Sequence, residues 1–114
     1  MLPKQYRLPS PEFRGVLKSG KKAFSANLML KFRENRLTLP RFGFIVSTKF
    51  NKRATARNRA KRLMREVIRL NLSKIKAGYD FIFSMKGEAP ELEYPGMERE
   101  IKEILLKENL LKTS

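Results

Sequence analysis

Eight Lys and Arg side chains fall within the eighteen positions from Lys52 to Arg69, and the apolar residues among them, Ala60, Leu63, Met64, Val67 and Ile68, recur at helical spacing. At 100° per residue these five form a single stripe, and the polar residues leave it on two sides. One flank carries Arg57, Asn58, Lys61 and Arg65; the other carries Arg59, Arg62 and Arg69. Solvated helical faces mix charges at i,i+4, whereas Glu66 is the only acid here. Such a surplus repels itself unless an anion relieves it. The chemistry on offer is the grip of a polyphosphate, on two surfaces at once.

Hydrolytic chemistry is poorly provided for. Cutting a phosphodiester takes a metal cluster or an acid–base pair built from His, Asp and Glu. The chain has no His and no Cys, and residues 1–87 hold only Glu12, Glu34, Glu66 and Asp80 as acids, in no metal-ligand spacing. Asp80 could bind a cation or pair with a nearby Arg, and among so many cations the pair is favoured. The chain is thus expected to bind no metal and no cofactor, and to lack the means to cut RNA alone.

The elements that must position this helix follow from periodicity. Ser10 is placed to cap a short helix with Pro11 at its first position, Phe13, Val16 and Leu17 on one face and Gly20 as its stop, with Gly15 an awkward interior residue. In the stretch from Ala23 to Arg33, alternation puts Leu28, Leu30 and Phe32 on one face of a half-buried strand. Arg41 to Ser47 reads as a second, more apolar strand. A basic loop, Lys49 to Ala54, leads to the charged helix, which Thr55 is placed to cap and which runs to about Leu70. Gly78 marks a turn, Tyr79 to Met85 a strand parallel to its predecessor, and Met97 to about Leu111 a closing amphipathic helix. The order is that of an α+β sandwich with helices packed on one sheet.

Composition agrees. The formal net charge is +15 over 114 residues, distributed as 22 basic against 4 acidic side chains in residues 1–87 and 4 against 7 in residues 88–114, so the last quarter is read as scaffold. One domain spanning 1–114 is expected, with 41% hydrophobic content and eight Phe to fill its core, a loosely ordered stretch at 1–9 and a short tail at 112–114. Absent cysteines suit a reducing compartment, and no apolar run reaches signal-peptide or membrane-spanning length; a cytoplasmic chain with no membrane partner is expected.

The run Gly43-Phe44-Ile45-Val46-Ser47-Thr48-Lys49, followed by Arg57-Asn58-Arg59-Ala60-Lys61-Arg62-Leu63-Met64-Arg65-Glu66, closely resembles the protein component of bacterial ribonuclease P. The second run is the specific one. Tyr6-Arg7-Leu8, Phe13, Val16, Gly20-Lys21 and Tyr79-Asp80 extend the similarity over most of the chain. The resemblance implies an αβββαβα order on a four-stranded mixed sheet, with an unusual left-handed βαβ crossover against the general rule. It also implies a ribonucleoprotein that removes the 5′ leader of precursor tRNA, in which a large RNA is the catalyst and magnesium serves that RNA. The partners implied are ribonuclease P RNA and precursor tRNA. On the resemblance, Phe13, Arg57, Asn58, Lys61 and Arg65 line a cleft between sheet and basic helix that takes the single-stranded leader. Lys49, Lys52, Arg53, Arg59, Arg62 and Arg69 would then face the catalytic RNA.

Leu17 and Lys31 stand where the family often has an aromatic on the cleft side, and Thr48 where it often has a second Lys. Base stacking contributes about 1–3 kcal/mol per aromatic, so leader contacts here are expected to lean on charge. Plainer roles compete for several residues: Phe13 as core, Asn58 as a local cap, Lys49, Lys52 and Arg53 as solvated loop charges. A ribosomal protein that binds rRNA structurally, or a DNA-compacting protein, fits the charge and size as well; the first more often carries a long basic tail, and the second binds duplex DNA and structured RNA alike.

Overall fold

The structure, a computed structural model, describes residues 2–112. The first helix, α1 (Ser10–Ser19), is followed by β1 (Lys21–Phe24), β2 (Leu28–Glu34), β3 (Arg41–Ile45), α2 (Ala54–Asn71), β4 (Tyr79–Met85) and α3 (Tyr94–Lys107). The strands form one sheet in the order β1-β2-β4-β3, with β3 parallel to β4 and the other pairs antiparallel. This is the expected α+β sandwich on a four-stranded mixed sheet.

Strand alternation sorts the sheet into two faces. Leu28, Leu30 and Phe32 of β2, Phe42 of β3, and Phe81, Phe83 and Met85 of β4 are buried together with Ala60, Met64, Val67 and Ile68 of α2 and Met97, Ile101, Ile104 and Leu105 of α3. The α2 stripe predicted from spacing is therefore buried, with Leu63 packed half-buried at its margin. Phe42 stacks on Phe81 at 5.2 Å and Phe44 on Phe83 at 6.3 Å, which ties the parallel pair. The opposite face, bearing Lys31, Gly43, Ile82 and Ser84, is covered in part by α1 through Val16 and Phe13.

The differences from the sequence reading lie at element ends. The carbonyl that accepts the first bond of α1 is that of Pro9, from the Phe13 N–H at 2.9 Å, so Pro9 caps the helix and Ser10 is its first residue. Arg53 likewise stands at the cap of α2, and Thr55 lies inside the first turn without a side-chain capping bond. The closing helix begins at Tyr94, because Pro95 and Gly96 are harmless in a first turn whose N–H groups have no intrahelical partner. It ends at Lys107 because Asn109 turns to φ +59°, whereupon Leu110 folds back to the Leu105 carbonyl at 2.7 Å. The strand β1 escaped the periodicity because only Ala23 of its four residues is buried. Gly15 is explained by packing: the Arg33 guanidinium lies in the space its Cβ would fill and donates to Ser19 Oγ at 3.0 Å. Where a loose N-terminus is expected, Leu2 is buried and Arg7 bridges in parallel to Phe42. Of the expected tail only Lys112 is described, donating to the Lys74 carbonyl at 2.7 Å; 113–114 lie outside the described residues.

The acidic last quarter is scaffold in a literal sense. Glu100, 5% exposed, accepts hydrogen bonds from Ser25 Oγ, from the Asn27 N–H at 2.8 Å and from Asn27 Nδ2 at 2.6 Å, so α3 holds the β1–β2 turn. Burial pushes its carboxyl pKa up, but the donors from Ser25 and Asn27 outweigh that and leave it below the ordinary 4.5. A depressed folded pKa stabilises the native state above the unfolded value and loses that stabilisation as pH falls through the folded value. Thermal melts should therefore show wild-type stability declining below about pH 4.5, with the decline shallower in Glu100→Gln. Identical pH profiles for the two would refute this role.

Candidate nucleic-acid interface

The loop that delivers α2 is built by its own polar residues. Asn51 Oδ1 accepts the Arg53 N–H at 2.9 Å, an Asx turn, and Phe50 tucks against the core. Arg57 Nη1 donates to the carbonyls of Asn51 at 3.0 Å and Lys52 at 2.8 Å. Arg57 thereby braces the loop that presents exposed Lys49, Lys52 and Arg53, while Asn58, one position on, is exposed.

Beyond the loop the flanks of α2 diverge. Arg53, Arg59 and Arg62 line a depression of about 380 Å³ with Asn51, Thr55 and Glu91. Arg59 is already engaged there, through Nη2 to Glu93 Oε2 at 2.9 Å and Nη1 to the Leu92 carbonyl at 3.3 Å. Arg69 is not part of this group: it pairs with Glu66 and borders a separate depression with Tyr6, Leu70 and Leu72. Each partner's hydrogen bond moves the other's pKa, Glu66 downward and Arg69 upward. Lys49 borders a third depression, about 650 Å³, facing Lys86 and Asn27.

On the other flank Lys61 and Arg65 converge with Arg7 and Leu2 over Phe42, Gly43 and Phe44, around a depression of about 210 Å³. The Arg65 guanidinium lies 5.9 Å from the Phe44 ring centroid, a cation–π arrangement. Phe13 is not in this depression. It packs from α1 onto Gly43, against the opposite face of the sheet from Phe44, and a methyl on Gly43 would collide with its ring. The five residues expected to line one cleft are thus divided: Lys61 and Arg65 on one side of β3, Phe13 on the other, Arg57 holding the loop and Asn58 exposed beside it. β3 is an outer strand of the sheet, and its outer edge is joined at Phe42 by Arg7 and Leu8.

Lys31 and Leu17, read as departures from an aromatic pattern, are bonded to each other. Lys31 Nζ donates to the Leu17 carbonyl at 2.8 Å, satisfying an orphan acceptor in the last turn of α1 with a cation suited to that end of the helix. Leu2, Arg7, Phe44 and Lys86 also line these depressions and were not singled out from the sequence. Alternation along β3 was the available signal for Phe44, since it places Phe42 and Phe44 together on the α2 side. Asp80 behaves as expected, held by Arg41 through Nε and Nη2, both at 2.9 Å. Among the described residues, no three His, Cys, Asp or Glu side chains gather in a way that would hold a metal ion, and no helix is long and apolar enough to cross a membrane.

Fold and surface together define a small, strongly basic α+β sandwich that carries a cationic helix beside the outer strand of its sheet. The profile of the Ribonuclease P family matches residues 2–109. The chain is 42% identical over 97 residues to the ribonuclease P protein component of Fusobacterium nucleatum, covering 82% of this chain and 86% of that one. It superposes on the RNase P protein of Thermotoga maritima with a TM-score of 0.79 at 27% identity, over 89% and 96% of the two chains. The Staphylococcus aureus RNase P protein gives a TM-score of 0.83 at 22% identity over 94% and 98%, a likeness of fold. The chain belongs to the ribonuclease P protein family. As a protein component of that enzyme it is a subunit of a tRNA-processing endoribonuclease.

Proposed function

We propose that this subunit binds RNA on both flanks of α2, contacting ribonuclease P RNA with one and the 5′ leader of precursor tRNA with the other, while the RNA subunit and its magnesium carry out cleavage. The observation that carries the reading is the division of cations about a helix whose apolar stripe is buried on the sheet. Arg53, Arg59 and Arg62 gather on one side, and Lys61 and Arg65 on the other. The loop cations Lys49, Lys52 and Arg53 extend the first surface, and Arg69 adds a separate contact near the end of α2. The leader is assigned to the edge of β3, where Lys61, Arg65 and Arg7 supply charge above Phe44 and where Phe13 is reached across the strand.

Asp80, Glu66 and Glu100 are poor candidates for metal or proton chemistry. Asp80 is held by Arg41 and Asn35, Glu66 by Arg69, and Glu100 by Ser25 and Asn27. The chain's contribution is binding and orientation.

Arg65→Ala should lower the ratio of precursor to mature tRNA affinity roughly 3- to 10-fold, the loss of one charge-assisted contact. The deficit should grow with leader length and level off by about ten nucleotides, within the span of single-strand sites. Phe13→Ala should lower the same ratio if the strand crosses β3. An effect from Phe13→Ala alone would move the leader to the α1 face, and no effect from either variant would remove it from this region.

A further inference from the structure

We propose that residues 2–7 form an N-terminal strap that walls the Lys61–Arg65 depression at the outer edge of β3 and is displaced when a single-stranded RNA enters there. The inference rests on the leader assignment above and adds a competitor to that site.

Leu2 is 2% exposed and belongs to the core cluster with Phe42, and it walls the depression alongside Phe42, Phe44, Lys61 and Arg65. The strap returns to β3 through Arg7, whose Nε donates to the Leu2 carbonyl at 2.9 Å, and is anchored beyond it where the Leu8 N–H donates to the Phe42 carbonyl at 3.0 Å. Between these points a single 3₁₀ turn, Lys4–Tyr6, is closed by the Tyr6 N–H to Pro3 and the Arg7 N–H to Lys4. Arg7 and Leu8 thus cover the outer edge of β3 at Phe42, the route assigned to the leader.

The strap is placed where its charge is unwelcome. It carries Lys4 and Arg7 and no acid, and Arg7 lies beside Lys61 and Arg65. Like charges at close range disfavour the closed arrangement, and burial of Leu2 together with the packing of Tyr6 against the core opposes them. A polyphosphate entering the same space reverses the electrostatic sign, since Arg7, Lys61 and Arg65 all gain an anionic partner. Arg7 can exchange the Leu2 carbonyl for a phosphate oxygen without leaving the edge of β3. The closed strap lowers apparent affinity for RNA by the fraction of molecules that are open, and weakening the Leu2 anchor removes that penalty.

The test uses the full chain and a ten-nucleotide single-stranded oligoribonucleotide. Leu2→Ser should tighten its binding about 3- to 10-fold, and adding the oligonucleotide to the wild type should speed hydrogen exchange at the Tyr6 and Arg7 amides. Arg65→Ala, measured in parallel, should weaken binding. If Arg65→Ala weakens binding but Leu2→Ser leaves it unchanged or weakens it, the strap is part of the site or irrelevant to it, and the proposal fails while the leader assignment stands. Slower exchange at Tyr6 and Arg7 on binding overturns it in the same way, without recourse to any variant. If Arg65→Ala has no effect, the strand does not bind here, and the leader assignment and the strap's competition with it fall together.

Discussion

Raising monovalent salt from about 50 to about 200 mM is expected to weaken the complex of this chain with a bacterial ribonuclease P RNA by about 10²–10³-fold. The expectation follows from counting cations. Lys49, Lys52, Arg53, Arg59, Arg62 and Arg69 are assigned to that RNA, and each phosphate neutralised steepens the plot of log affinity against log salt by about 0.7–0.9. Six contacts give a slope of roughly −4 to −5, the upper end of the range. Arg59 and Arg69, however, already hold Glu93 and Glu66, and if those pairs persist four contacts remain and the slope is roughly −3. Arg62→Ala, which removes an exposed cation that makes no salt bridge among the described residues, should shallow the slope by about one unit. Arg59→Ala should change it less, because Glu93 has first to be given up. A flat salt response in the wild type would eliminate this binding mode.

Asp80→Ala is expected to cost about 3–5 kcal/mol, the penalty for leaving one partner of a buried ion pair alone. Asp80 is 1% exposed and meets Arg41 directly across the β3–β4 ladder, with Asn35 Nδ2 adding a third bond at 2.9 Å. Without it the Arg41 guanidinium is stranded and the outer strand that carries Phe42, Gly43 and Phe44 loses its fastening. For a chain of this size the melting temperature should fall on the order of 15–20 °C. Replacing both partners, as Arg41→Met with Asp80→Leu, should recover part of the loss because no charge is then left buried. In the assembled enzyme below that melting point and at saturating protein, Asp80→Ala should keep single-turnover cleavage within about tenfold, since loss of a true acid–base group costs about 10²–10⁴. A thousandfold loss in a folded, RNA-bound variant would place Asp80 in the chemistry. An unchanged melting temperature would contradict the structural role.

Residue spacing by itself determined the parts of this protein that depend on periodicity and on charge. A stripe recurring at 3.6 residues can be buried in only one way, so Ala60, Met64, Val67 and Ile68 were legible as core and the cations as two flanks. Alternation likewise marked Leu28, Leu30 and Phe32, and the scarcity of acids implied that Asp80 would take an Arg. The family resemblance supplied the order αβββαβα, which periodicity missed at β1 because Lys21 and Lys22 are both exposed and only Ala23 faces inward. What the tertiary structure alone decided is which cations share a surface. Helical angle places Arg69 with Arg59 and Arg62, yet Glu66 and the neighbouring Tyr6 and Leu72 give it separate surroundings. Angle also places Arg57 with Lys61 and Arg65, but the carbonyls of Asn51 and Lys52 claim it for the loop. Phe13 and Phe44 fall on opposite sides of β3 because strand neighbours point to opposite faces, and no pattern within α1 specifies which face that helix covers. Leu2 reaches the depression through a turn closed by short-range backbone bonds and a bridge to a strand 35 residues away in sequence, Arg7 to Phe42. Such long-range pairings arise from the simultaneous packing of several elements, and a single stretch of sequence carries no record of them.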